Sequence, residues 1–144
     1  MNTTVPTNLL PSYEQACSAC INDLFHTAYI VLANADAAEK LITKICVAGV
    51  HKYDHLEDEA KIRFRLTSDL FHRVKRRLWF FTPNTDPLPE QLQVLTKQER
   101  LVVAMRFSSG LSVAESGRIL GLSVDEYRKR INDIMSKPMA VRIP

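Results

Sequence analysis

Apolar residues recur along this chain at helical rather than strand spacing. From Pro11 onward, Ala16, Ala19, Cys20, Leu24, Ala28, Ile30 and Val31 return every few positions, the repeat of a helix with one buried face. Ser12 followed by Gln15 is a capping-box pattern that marks its start. A second helix starts at Asp36, with Glu39 three residues on, and runs to about Lys52. Its apolar positions are Ala37, Leu41, Ile42, Ile45, Cys46 and Ala48. The pattern then predicts a third helix from near Glu57 to about Phe80. Glu57, Asp58 and Glu59 crowd its first turn and Lys75, Arg76 and Arg77 its last; both groups suit the helix dipole.

The pattern breaks at 82–89, Thr-Pro-Asn-Thr-Asp-Pro-Leu-Pro. Proline removes a backbone donor and turns the preceding residue away from helix, so residues 82–94 read as a linker. Beyond it three capping boxes follow one another, Thr96–Glu99, Ser112–Glu115 and Ser123–Glu126. Gly110 and Gly121 stand where a helix ends in a left-handed residue. The predicted helices are 97–109, 113–120 and 124–136. The last two are joined by Gly121-Leu122-Ser123, the length of a helix-turn-helix turn. The expected fold is all-α, with a helical domain over 1–81 and a helix-turn-helix domain over 95–144.

Composition narrows the class. Apolar content of 46% with 24% charged residues is that of a soluble globular protein. Four glycines and few alternating runs give little footing to a β reading. No apolar run approaches the roughly 18–20 residues of a membrane span, and Met1–Gln15 lacks the basic and apolar regions of a secretory leader. A cytoplasmic location with no membrane partner is expected. The net charge of +3 is too small to argue for nucleic acid by itself, so its distribution matters more.

That distribution singles out two places. In the last helix Val124, Tyr127, Ile131 and Ile134 form one stripe and should pack inward. Arg128, Lys129 and Arg130 fall largely outside it and can reach phosphates or guanine edges. Ser112 and Ser123 put helix N-termini where amides bind phosphate. Asp125 and Glu126 set negative charge near the groove, although Glu126 is also the capping residue. Gly117 sits inside a helix at a cost of about 1 kcal/mol relative to alanine, which a close helix crossing explains. The second place is the third helix. Lys61, Arg63, Arg65, Arg73, Lys75, Arg76 and Arg77 face a single acid, Asp69, after position 60. Trp79, Phe80 and Phe81 follow and can stack on unpaired bases or seal a core.

The stretch LTKQERLVVAMRFSSGLSVAESGRILGLSVDEYRKR, residues 95–130, resembles the C-terminal DNA-binding domain of bacterial RNA polymerase sigma factors. Ala28-Tyr29, Asp36-Ala-Ala-Glu-Lys-Leu-Ile and Phe64-Arg-Leu-Thr-Ser-Asp-Leu resemble, more loosely, the domain that binds core polymerase and reads the minus-ten element. Together they cover roughly residues 20–137, in the layout of the small extracytoplasmic-function group. The resemblance implies promoter DNA and RNA polymerase core as partners, with an anti-sigma factor as a further candidate. It places polymerase binding on Glu39, Lys40, Ile42, Thr43 and Lys44. It places DNA binding on Ser112, Ser123, Asp125, Glu126, Arg128, Lys129 and Arg130, with Arg63, Arg65, Arg73, Arg76 and Arg77 for the downstream element. Three departures stand out. Lys40, Thr43 and Lys44 replace acidic and amide groups and reverse the local charge that governs docking. Ile62 takes the place of a tryptophan, and Asp69 that of an asparagine. A sigma-related regulator that does not initiate, or a module that captures polymerase or an anti-sigma factor, are the alternatives.

Other chemistry is sparse. Cys17-Ser-Ala-Cys20 is a lone CxxC; Cys46, His26, His51 and His55 offer no second paired motif for a tetrahedral zinc site. The thiols read as small core residues, with a redox pair as the alternative, and no metal or cofactor is expected. There is no Gly-rich phosphate loop, nucleophile elbow or HExxH, so no enzyme is expected.

Overall fold

The structure, a computed structural model, describes residues 12–56, 58–76 and 83–137. Among them are seven helices and no strand: α1 Ser12–Leu32, α2 Ala35–Tyr53, α3 Glu59–Val74, α4 Glu90–Gln93, α5 Lys97–Phe107, α6 Val113–Leu120 and α7 Val124–Met135. Glu57, Arg77, Trp79, Phe80, Phe81, the side chain of Ser12 and the residues from Pro138 onward lie outside the described residues. None of the described helices is long and apolar enough to cross a membrane.

The first three helices surround one core. α1 contributes Tyr13, Ala16, Cys20, Leu24, Ala28 and Val31, spaced by three or four, so one face is buried along its whole length. α2 meets it with Ala38, Leu41, Ile42 and Ile45, and α3 with Ile62, Leu66, Leu70 and Val74. A second, smaller core joins Leu95, Val102, Val103, Tyr127, Ile131 and Ile134.

Helix α5 belongs to both cores. Leu101, Ala104 and Met105 face α1, while Val102 and Val103 face α7. Six successive residues, Arg100 to Met105, are buried. A helical stretch buried all round can be stable only where protein covers it on every side, and here the two cores provide that cover.

Arg100 is the one charged side chain in this run, 3% exposed. Its Nε donates to the Ile30 carbonyl at 2.7 Å, Nη2 to the Val31 carbonyl at 2.7 Å and Nη1 to the Leu95 carbonyl at 2.9 Å. Ile30 and Val31 lie in the last turn of α1, whose carbonyls have no partner within the helix and form the negative end of its dipole. α1 carries no basic residue of its own there. Arg100 thus caps a helix 70 residues earlier in the chain.

The same corner holds the proline-rich segment. Ala33 adopts a left-handed φ of 49°, and its amide closes on the Tyr29 carbonyl at 2.7 Å, an αL cap made without glycine. The Ala33 carbonyl accepts from the amides of Thr85 (2.9 Å) and Asp86 (2.8 Å). Asp86 Oδ2 in turn accepts from the Ala35 amide at 2.9 Å, at the start of α2.

Several boundaries differ from the sequence-based expectation. α2 is capped by Asn34, whose Oδ1 accepts from Ala37 at 3.0 Å, rather than by Asp36. α3 begins after Asp58, which caps Ala60, and ends at Val74 rather than near Phe80. Periodicity carried that helix toward the next helix breaker, Pro83. The segment expected as a plain linker contains the single turn α4.

Replacing Arg100 by methionine keeps an unbranched apolar stem and removes every donor. Three carbonyls then lose their partner, and unfolding free energy should fall by about 3 kcal/mol, read from urea denaturation. An unchanged midpoint would mean that those carbonyls are satisfied without the guanidinium.

Candidate nucleic-acid interface

Helices α6 and α7 owe their boundaries to local chemistry. Ser112 Oγ accepts from the Glu115 amide (3.1 Å) while Glu115 Oε1 accepts from the Ser112 amide (3.0 Å). The same reciprocal pair joins Ser123 and Glu126, at 3.1 and 2.9 Å. Between the helices Gly121 takes φ 78° and ψ 26°. The Leu122 amide reaches the Gly117 carbonyl at 2.8 Å and the Gly121 amide reaches that of Arg118 at 3.2 Å. These are the two bonds of a Schellman turn.

The turn explains Gly117. A Cβ there would lie 2.8 Å from the Leu122 carbonyl oxygen and 3.7 Å from Tyr127 Cβ. The approach is to the turn's own backbone as much as to the next helix. Tyr127 is fully buried against it, and its hydroxyl donates to the Val102 carbonyl at 2.8 Å. Burial pushes the phenol's pKa up, which keeps that donor in place. Tyr127, Ile131 and Ile134 anchor α7 in the second core, each at roughly 1.5–3 kcal/mol for an apolar side chain fully removed from water. Val124, expected with them, is only half-buried.

The opposite side of α7 is open. Asp125, Glu126, Arg128, Lys129, Arg130, Asn132 and Asp133 are all exposed. At about 100° per residue, Asp125 and Lys129 face away from the buried stripe, with Asn132 and Asp133 about 50° to either side of that direction. Arg128 and Arg130 stand about 80° to either side of it. Glu126 is engaged by its cap, and the Ser123 amide that donates to its carboxylate holds its pKa below the ordinary 4.5, with Arg130 adding to this. Lys129 meets Asp133 at 3.4 Å one turn on, both well exposed, a contact too solvated to hold the lysine back from a phosphate.

The remaining expected residues divide by burial. Arg65 and Arg76 are exposed and Arg73 half-buried; Arg77 lies outside the described residues. Arg63 turns inward instead. Its Nη1 pairs with Asp23 at 2.7 Å and donates to the Ser109 carbonyl at 3.0 Å, and a Cβ on Gly110 would meet it at 2.5 Å. It ties α3 to α1 and to the α5–α6 corner, and so is not presented to a ligand. On α2, Glu39, Lys40, Thr43 and Lys44 are exposed on one side. Ile42 is 3% exposed in the first core, because it shares the buried stripe of Leu41 and Ile45.

Two exposed polar side chains have no place in the sequence reading. Asn132 lies on the outward face of α7, opposite the buried stripe, where the helical period alone could have found it. Arg118 on α6 stacks 4.6 Å over the Phe64 ring of α3. It borders a cleft of about 480 Å³ that also takes in Lys61, Arg65, Asp58 and Glu115. Among the described residues, no three His, Cys, Asp or Glu side chains converge on a point that could hold a metal.

Gly117→Ala should destabilise by about 1–3 kcal/mol through overpacking, outweighing the roughly 1 kcal/mol that alanine gains as a helix former. Thermal unfolding tests this, and a stabilised variant would contradict the tight turn. The Glu126 cap has a pH signature. Its folded pKa is depressed, so its contribution is complete above the ordinary glutamate range and is lost as pH falls through the folded value. Amide protection at the start of α7, measured against the intrinsic exchange rate at each pH, should therefore fall in acid, and Glu126→Gln should flatten that response.

Comparison with protein-family models, with curated proteins and with solved structures finds no match to this chain.

Proposed function

We propose that this chain is a sigma-like transcription initiation factor that reads promoter DNA with α7 and binds RNA polymerase core through the exposed side of α2. The observation that carries the reading is the face of α7. It is a short helix entered by a Schellman turn, clamped by Tyr127, with an open polar side. In a major groove, Asp125, Lys129 and Asn132 would face base edges, where carboxylates accept from cytosine, lysines donate to guanine and amides pair with adenine. Arg128 and Arg130 would reach the phosphates on the two walls. The N-terminal amides of α6 and α7 add donors of the kind that bind phosphate. An anti-sigma factor is a candidate partner of the α2 side.

One structural observation favours a second reading, a sigma-related DNA-binding regulator that does not initiate. α5 is buried in both cores and tied by Arg100 and Arg63 to the first three helices, which favours action as a single body rather than as two arms reaching separate elements. Lys40, Thr43 and Lys44, exposed on α2, point the same way.

The two roles assigned to α7 separate experimentally. Arg128→Ala and Arg130→Ala should weaken binding to every duplex alike and each lower the salt slope by about one. Asn132→Ala should cost about 1–3 kcal/mol only on preferred sequences. Fluorescence anisotropy over a salt series, after selection from random duplexes, measures both; no duplex binding by the full chain would end the proposal. Co-purification with bacterial core polymerase and run-off transcription then distinguishes initiation from regulation.

A further inference from the structure

A second chemical site lies between α1 and α2 and does not depend on the reading of α7. The first half of α1 packs against the second half of α2, where the Tyr13 hydroxyl donates to the Cys46 carbonyl. Cys17 stands one turn after Tyr13 on the same face of α1, and Val50 one turn after Cys46 on α2. A Cβ on Gly49 would fall 2.2 Å from the Tyr13 hydroxyl oxygen, so the glycine admits the ring that seats this corner. Cys17 and Cys46 line one open cleft of about 400 Å³, both half-buried. The CxxC partner, Cys20, is fully buried in the core instead, and burial pushes its thiol up to about 11.

We propose that Cys17 is a site of oxidation by neutral hydroperoxides, with Cys46 as the resolving thiol that closes a Cys17–Cys46 disulfide. The Cys17 thiolate attacks the terminal peroxide oxygen. An S–O bond forms as the O–O bond breaks, and the leaving alkoxide or hydroxide takes a proton to become alcohol or water. The sulfur is now a sulfenic acid. Cys46 gives up its proton and attacks that sulfur; the S–S bond forms and the hydroxyl leaves with the proton as water. Two thiols are oxidised and one hydroperoxide is reduced.

Two features support this order. The Tyr13 hydroxyl donates to the Cys46 carbonyl and so holds the turn of α2 that carries Cys46 against the turn of α1 that carries Cys17. Beside that placement, the neighbouring Cys46 and Tyr13 groups lower the Cys17 thiol to about 7 against the desolvation and the Glu14 charge that raise it, whereas Cys46 is shifted up. The cleft also selects its oxidant. Val47 and Val50, 63% and 44% exposed, form an apolar wall, while the charged side chains on its rim, Glu14 and Asp54, are both acidic. That surface admits hydrogen peroxide or an alkyl hydroperoxide and repels an anionic oxidant such as glutathione disulfide.

The test uses the reduced full chain with hydrogen peroxide, cumene hydroperoxide or glutathione disulfide. Peroxide treatment should lower the intact mass by two hydrogens, and peptide mapping should find Cys17 joined to Cys46 within one chain. Cys20→Ser should leave this unchanged. Cys46→Ser should stop at a sulfenic acid on Cys17, trapped by dimedone, and Cys17→Ser should abolish the reaction. Iodoacetamide should label Cys17 about tenfold faster than Cys46 at neutral pH, following thiolate fraction. A Cys17–Cys20 bridge, a bridge between two chains, equal reaction of all three thiols, or faster oxidation by glutathione disulfide would each overturn the proposal.

Discussion

A guanidinium buried without a carboxylate partner is an expensive thing to build into a core. Removing an ion from water costs several kcal/mol even after relaxation, and burial alone pulls the pKa of Arg100 down. The structure offsets this with carbonyl dipoles. Two of them belong to the last turn of α1, where the peptide groups already point negative ends outward. The cost of the charge and the cost of the unfinished helix end cancel against each other. Neither solution exists without the other, and α5 can lie in the first core only because its arginine has that helix end to meet.

The rest of the assembly follows from this placement. With α5 fixed, its far side offers Val102 and Val103 to α7, and the Val102 carbonyl receives the Tyr127 hydroxyl. The Ser109 carbonyl just beyond α5 receives Arg63. Thr27 of α1 and Ser108 at the end of α5 share a hydroxyl contact of 2.8 Å. The polar face of α7 is presented outward because everything on its other side is engaged.

Legibility from the sequence tracked the range of the interaction. The limits of α6 and α7 were readable almost to the residue, because capping boxes and a left-handed glycine act within a few positions. Asn34 as a cap was missed although its signal was equally local; Asp36 and Glu39 imitate the same pattern two residues later. Arg100 was unreadable in principle. Beside Glu99 in a first helical turn it resembles a solvent-facing charge, and only the carbonyls of Ile30 and Val31 reveal otherwise. Arg63 was counted among the DNA-facing basics for the same reason, since its partner Asp23 is 40 residues away. Ile42 sits in a polar stretch that the family resemblance assigned to an interface, yet its helical phase with Leu41 and Ile45 already placed it in the core.

The cap on α1 also bears on how the chain is made. Synthesis runs from the N-terminus, and domains generally fold as their segments emerge. The last turn of α1 is exposed early, but its carbonyls remain without their donors until Arg100 has left the ribosome. The Ala33 corner likewise waits for Thr85 and Asp86. The first three helices can therefore collect around their apolar faces while the nascent chain is short, yet their packing becomes final only when α5 arrives. On the ribosome, α1 is the first of the described helices to emerge and among the last to be completed.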